Sequence, residues 1–378
     1  MSSVTRTGRS VILVSFTLGT RQDREAMVQR RVGAEVSCVA DRPGLRNRRR
    51  GSTIERDRPE AGAPAEREGM VSDTPPMHSE NSVAARTLTI ATNRPRIDEV
   101  GEVIYHQVKR IDAVRGLRMT LLVPRNADPK PAILYVPGGG FTSAAHRKFI
   151  EMRLALAQAG FVVAAAEYRV VPDVFPAPLE DGKAAVRYLR SHADEYGIDP
   201  DRIGVLGDSA GGWLAQMLAM TGDTSEYDRG DWLDTSSAVQ AAVSLYGISD
   251  LRNIGAGFSD AVGRVHASTA STETLLVHGV AFGDFAGATI DSDPAKALAA
   301  SPIGHLSGRK PPLLLMHGSA DDLVSPVQSE QMAAALRQHD DKVDYVVVNG
   351  AGHGDEPWFQ PALIENVIAW FQERLLKC

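Results

Sequence analysis

Ser209 lies in Gly207-Asp208-Ser209-Ala210-Gly211, between the apolar run IGVL and the stretch GWLAQMLAM. A serine with glycines two before and two after it, on a strand–turn–helix pattern, is a nucleophile elbow. The turn is so tight that side chains at the glycine positions would collide. The serine Oγ then stands exposed at the carboxyl end of a sheet. Serine at its free pKa is a poor nucleophile and needs a base. In this arrangement the chain order is serine, then carboxylate, then histidine. The strand LLLM runs into His317-Gly318-Ser319-Ala320-Asp321-Asp322, and the strand VDYVVV into Asn349-Gly350-Ala351-Gly352-His353-Gly354. Asp321 is taken as the acid, with Asp322 as its alternative. His353, in a Gly-rich loop, is taken as the base, and the rival His317 as an anchor of the acid's loop. Asp208, beside the nucleophile, points elsewhere from the elbow and is given a supporting role. Acyl transfer also needs backbone N–H groups aimed at a developing oxyanion. Pro137-Gly138-Gly139-Gly140-Phe141 follows the strand AILYV, and bare glycine backbone can approach a ligand closely. The N–H of Ala210 would complete such a hole.

These residues need a scaffold that sets several strand ends on one rim. Val103–Ile111 and Leu117–Val123 read as antiparallel strands with a turn at Arg115-Gly116. Ala132–Val136, Phe161–Ala166, Arg202–Leu206, Val239–Leu245, Leu313–Met316 and Val343–Val348 are short apolar runs that read as buried strands. Helical patterns cover 147–159, 179–195, Ala210–Met220, Val327–Arg337 and Ala362–Leu376. Such alternation implies an α/β fold, a mostly parallel sheet with helices on both faces. Residues at about 250–300 break the rhythm and read as a lid or cap insertion.

The chain has 378 residues, 43% hydrophobic and 23% charged, and a net charge of −6. Length alone allows two or three domains. The charge is uneven: residues 1–78 hold 14 Arg, no Lys and 10 Asp plus Glu, so the remainder carries −10. An acidic body argues against a nucleic-acid surface. Cys38 and Cys378 are too few for a disulfide framework or a thiolate metal site. Residues 1–80 read as a disordered leader, and 81–378 as the catalytic domain. Ser10–Gly19 after Arg6 and Arg9 is laid out like a short secretory signal, but no cleavage site follows closely. It is also too short to span a bilayer. The expected location is the cytoplasm, with no membrane or nucleic-acid partner. No H-E-x-x-H, Walker or dinucleotide motif is present, so no metal or cofactor is expected.

Together, YVPGGGF, EYRVVPDVFPAPLEDGKAAVRYL, YGIDPDRIGVLGDSAGGWLA, YGISDL, PPLLLMHGSADDLVSP and GAGHG resemble the α/β-hydrolase fold over about residues 100–376. More narrowly they resemble its hormone-sensitive-lipase-like and bacterial carboxylesterase branch. By position, the resemblance implies Ser209 as nucleophile, Asp321 as acid, His353 as base, and oxyanion donors at Gly139, Gly140 and Ala210. One departure stands out. The branch usually has His-Gly-Gly-Gly, and here Pro137 replaces the His that braces the loop. The implied activity is serine carboxylic ester hydrolysis of small soluble esters. Amide or arylformamide cleavage by the same residues is the alternative, and a non-catalytic binding role a remoter one. Phe141, Phe258, Leu275, Leu276, Phe282 and Phe285 are candidates for an apolar substrate pocket or for the core of the lid. The oligomeric state is left open.

Overall fold

Runs of Val, Leu, Ile and Ala too apolar for a surface build the centre of the fold. In a computed structural model that describes residues 85–126 and 129–376, these runs are strands, buried on both faces in the middle of the sheet and partly exposed at its two edges. The strands are β1 (Ile97–Lys109), β2 (Val114–Pro124), β3 (Lys130–Val136), β4 (Val162–Ala166), β5 (Ile198–Asp208), β6 (Ala241–Leu245), β7 (Leu313–Gly318) and β8 (Val343–Val348). They form one sheet in the order β1-β2-β4-β3-β5-β6-β7-β8. The pairs β1–β2 and β2–β4 are antiparallel, and every pair from β4 to β8 is parallel. The expected mostly parallel α/β sheet is therefore what the chain adopts.

The alternation along each strand divides the core. On β3, Leu134 and Val136 face one apolar cluster, and Ile133 and Tyr135 the other. The first is filled by helices α2 (Ala177–Ser191), α4 (Ala210–Met220) and α8 (Val327–Gln338), through Leu189, Trp213, Leu214 and Met332. The second is filled by α1 (Ile150–Gln158) and α9 (Pro361–Leu375), through Met152, Leu156, Val367 and Phe371. Burying both faces is what a parallel sheet requires. A one-turn helix α3 (Ala193–Tyr196) ends at Gly197, just before β5.

Two expectations need correction. The first hairpin turns at 110–113, where the Arg110 N–H bonds the Ala113 carbonyl, and not at Arg115-Gly116. Both of those residues lie inside β2, paired with Val108 and Gln107. A side chain at Gly116 would press on Ile104 of the neighbouring strand, so this glycine marks close cross-strand packing instead of a turn. The segment between β6 and β7 carries three short helices, α5 (Asp260–His266), α6 (Thr272–His278) and α7 (Pro294–Ala299). Its inward residues Leu276, Val277, Ile290 and Ala297 join the cluster around Trp213 and do not form a separate lid core. The leader, the Ser10–Gly19 run, Cys38 and Cys378 lie outside the described residues. Among the described residues no helix is long and apolar enough to cross a membrane.

Candidate active site

In a parallel sheet the carboxyl ends of the strands share one rim, where ligands bind. Five successive strand ends supply this one: β3 leads into Pro137, β5 into Ser209, β6 into Tyr246, β7 into Asp321 and β8 into His353. Ser209 is the sharpest point of the rim, with φ 53° and ψ −122°. Non-glycine residues rarely adopt positive φ, and strain of that kind gathers at working sites. The neighbouring glycines make the turn possible. A Cβ at Gly207 would run into the Gly211 carbonyl, and one at Gly211 into the Val136 carbonyl. Gly211→Ala is therefore expected to destabilise the fold by about 3 kcal/mol or more, since overpacking against backbone cannot relax. A thermal melt should fall by roughly 6–12 °C. A melt within 1 °C of wild type would show that the elbow is not this tight.

Asp321, His353 and Ser209 stand in line. His353 Nε2 is 2.8 Å from Ser209 Oγ, and His353 Nδ1 is 2.8 Å from Asp321 Oδ2. The carboxylate has acceptors only, so Nδ1 donates and Nε2 is left to accept from the serine hydroxyl. The other Asp321 oxygen accepts the backbone N–H groups of Leu323 and Val324, at 3.0 and 2.9 Å. Burial works to raise the Asp321 pKa, but hydrogen bonds from His317, His353 and the Val324 N–H outweigh it. The carboxyl is held well below its ordinary value. Its stabilising contribution is complete above the unfolded carboxylate range near ~4 and is lost as pH falls toward the folded value.

The two rival residues fall elsewhere. Asp322 is exposed. His317 is fully buried. Its Nε2 lies 3.0 Å from the Val324 carbonyl and 3.4 Å from Asp321, and its Nδ1 2.7 Å from Ser329 Oγ. With acceptors at Nε2, that nitrogen donates, and the ring ties the loop of Asp321 to α8.

The loop after β3 is folded on itself. The Gly139 carbonyl accepts from the N–H groups of Thr142 and Ser143. Gly140 and Phe141 have φ of 57° and 59°. Phe141 is held there by the Val171 N–H on its carbonyl and by its ring, edge-on to Trp213 at 5.3 Å. It is buried beneath the loop. Gly139 and Gly140 line the pocket in front of Ser209, and no hydrogen bond to either N–H is formed among the described residues. Ala210 is the first residue of α4, where a helix leaves its N–H groups without internal partners.

That pocket has a volume of about 370 Å³. Its walls include Lys148, Phe149, Tyr246, Leu323 and Phe359 as well as Ser209, His353 and the glycines. None of Phe258, Phe282 and Phe285 lines it, nor does Phe141. Phe282 is 87% exposed at a bridge with Phe285, and Leu276 is core. The expected pocket residues were chosen for their apolarity, which does not say which face of the insertion they occupy. Gly139, Gly140, Ser209 and His353 were expected there, but the side chains of Lys148, Phe149, Tyr246, Leu323 and Phe359 were missed. Tyr246 carried a readable signal, since it follows β6 as Ser209 follows β5. Its ring meets the His353 ring at 4.8 Å and that of Trp358 at 4.5 Å. Lys148, Phe149 and Phe359 had none. A larger cleft, about 790 Å³ around Lys310 and Asp341, lies where β6, β7 and β8 begin. It contains no hydroxyl or thiol nucleophile.

An eight-stranded, mostly parallel sheet with a serine elbow on its carboxyl rim defines an α/β-hydrolase fold. The chain belongs to the BD-FAE family, whose model matches residues 119–336, more than half its length. It is 30% identical over 210 residues to the probable carboxylic ester hydrolase LipM of Mycobacterium tuberculosis, covering 55% of this chain and 45% of that protein. It is 30% identical over 234 residues to esterase LipC of the same organism, covering 60% and 53%. The chain thus spans about half the length of these curated relatives. Among solved structures, it resembles the truncated form of a carbohydrate esterase from gut microbiota, with a TM-score of 0.65 and 24% identity over 76% of this chain and 99% of that one. It also resembles butyrate-bound esterase 2 of Thermogutta terrifontis, with a TM-score of 0.55 and 25% identity over 75% and 94%.

Proposed function

We propose that the chain is a serine carboxylic ester hydrolase that acts on small soluble esters through Ser209, His353 and Asp321. The observation that carries this reading is the unbroken line from Asp321 to His353 to Ser209, with both links at 2.8 Å. The names of its relatives, esterase and carboxylic ester hydrolase, support the same chemistry. In the reaction, His353 Nε2 takes the Ser209 proton as Oγ bonds the ester carbonyl carbon. The carbonyl electron pair moves to oxygen, and that oxyanion is held by the N–H groups of Gly139, Gly140 and Ala210. Asp321 keeps the imidazole in the working tautomer and stabilises its cation. Collapse breaks the bond to the alcohol oxygen, which leaves with the proton from Nε2. Water repeats the sequence on the acyl-enzyme, releases the acid and restores Ser209. None of these steps calls for a metal or a cofactor.

The pocket volume of about 370 Å³ is near the lower end for ligand sites, which run from ~300 to 1,000 Å³. This favours short acyl groups. A panel of p-nitrophenyl esters from acetate to decanoate is expected to give the highest kcat/KM at two to four carbons, and a loss of about tenfold or more by ten. A maximum at the long end would overturn the small-ester reading. N-formylkynurenine, run beside the panel, tests the amide alternative. Faster turnover of it than of every ester would make the protein an arylformamidase.

A further inference from the structure

Pro137 opens the glycine loop, at the place where the resemblance implies a histidine, and the loop keeps a defined shape. Beside the backbone bonds within the loop, two buried contacts fix its start. The Tyr168 hydroxyl donates to the Pro137 carbonyl at 2.6 Å. The Gly138 N–H donates to Asp208 Oδ1 at 2.9 Å. Asp208 is itself fixed. Its Oδ1 also accepts the Tyr135 hydroxyl at 2.8 Å, and its Oδ2 lies 3.1 Å from the Lys148 ammonium. The side chain is only 6% exposed, one residue before the nucleophile. Gly138 is packed so closely that a Cβ there would strike both Asp208 and the Ser209 Cβ. The elbow and the glycine loop therefore share one carboxylate, which bonds the N–H of the Pro137–Gly138 peptide, one residue before Gly139.

Resting on the serine hydrolase reading above, we propose that Asp208 is the positioning residue of the oxyanion loop. Its carboxylate holds the Gly138 peptide so that the Gly139 and Gly140 N–H groups face the oxygen of the tetrahedral intermediate. It acts from the elbow side of the site, through the Gly138 N–H. Asp208 lines the pocket beside Ser209, but its carboxylate forms no hydrogen bond to Ser209 or His353. What it controls is the placing of donors, so its loss should appear in the step that develops charge. Misplacement by about 1 Å, or loss of one oxyanion donor, typically lowers turnover by ~100-fold or more.

The test compares Asp208→Ala with Asp208→Asn in the full chain, on a short-chain p-nitrophenyl ester. The alanine variant is expected to lose about 100-fold in kcat with KM within about threefold. The asparagine variant keeps an acceptor for the Gly138 N–H, and should recover kcat to within about tenfold of wild type. If the alanine variant unfolds, Asp208→Leu, which fills the space and accepts nothing, takes its place. An alanine or leucine variant that keeps kcat, or that changes KM alone, would overturn the proposal. So would an asparagine variant that loses as much as alanine, since charge and not the accepted bond would then matter. Ser209→Ala in the same assay separates the two claims. If it retains activity, the serine hydrolase reading fails. If it is inactive while Asp208→Ala is not, only the positioning role fails.

Discussion

Ser209→Ala is expected to lower kcat by about 10⁶ with KM little changed, and to leave the fold intact. Removal of the nucleophile in a comparable serine hydrolase site has that size, and the ~10³–10⁴ acceleration over water that remains comes from the oxyanion hole and binding. Two features of this chain set the expectation. Ser209 Oγ is within 2.8 Å of the one histidine that lines its pocket. Its backbone is held by its own N–H on the Leu245 carbonyl and by the following helix, so a methyl group in place of the hydroxymethyl leaves the elbow standing. Steady-state kinetics with a matched thermal melt check both halves. Activity within tenfold of wild type would mean that another group forms the bond.

His353→Ala is expected to cost nearly as much. The serine hydroxyl would keep its place but lose the acceptor that stands 2.8 Å from it, the only one bonded to it among the described residues. Asp321 cannot substitute, because it bonds the far nitrogen of the ring. Residues that act as a unit are strongly non-additive. The Ser209→Ala/His353→Ala double variant should therefore lose no more than about tenfold beyond either single one. Near-full activity in His353→Ala would make His317 the base, although that ring is buried against Val324 and Ser329. Losses that multiply would show that the two residues act separately.

Much of the candidate site was legible because its chemistry is written locally. The elbow needs glycines at fixed offsets from Ser209, and each glycine has an identifiable clash to avoid. Asp321 and His353 were legible because each follows an apolar strand, and strand ends in a parallel sheet share a rim. The pocket walls were not. Lys148 and Phe149 come from the approach to α1, and Phe359 from the approach to α9, 210 residues apart in the chain, and only the sheet order brings them together. The supporting role read for Asp208 was local too, but its bond to Gly138 depends on β3 pairing with β5. The aromatic residues of the insertion misled for the opposite reason. Composition marked Phe282 as apolar but could not say that it would stand in solvent. Gly116 misled as a turn because glycine signals both turns and close packing, and only the partner strand tells them apart.

The central claim is that Ser209 forms a covalent bond to the acyl group. Intact-mass analysis after incubation with an organophosphonate serine probe tests it most directly. The account predicts one adduct per folded wild-type chain, mapped to the peptide that contains Ser209 and absent from Ser209→Ala. No adduct on folded wild type, or an adduct that persists in Ser209→Ala, would contradict it.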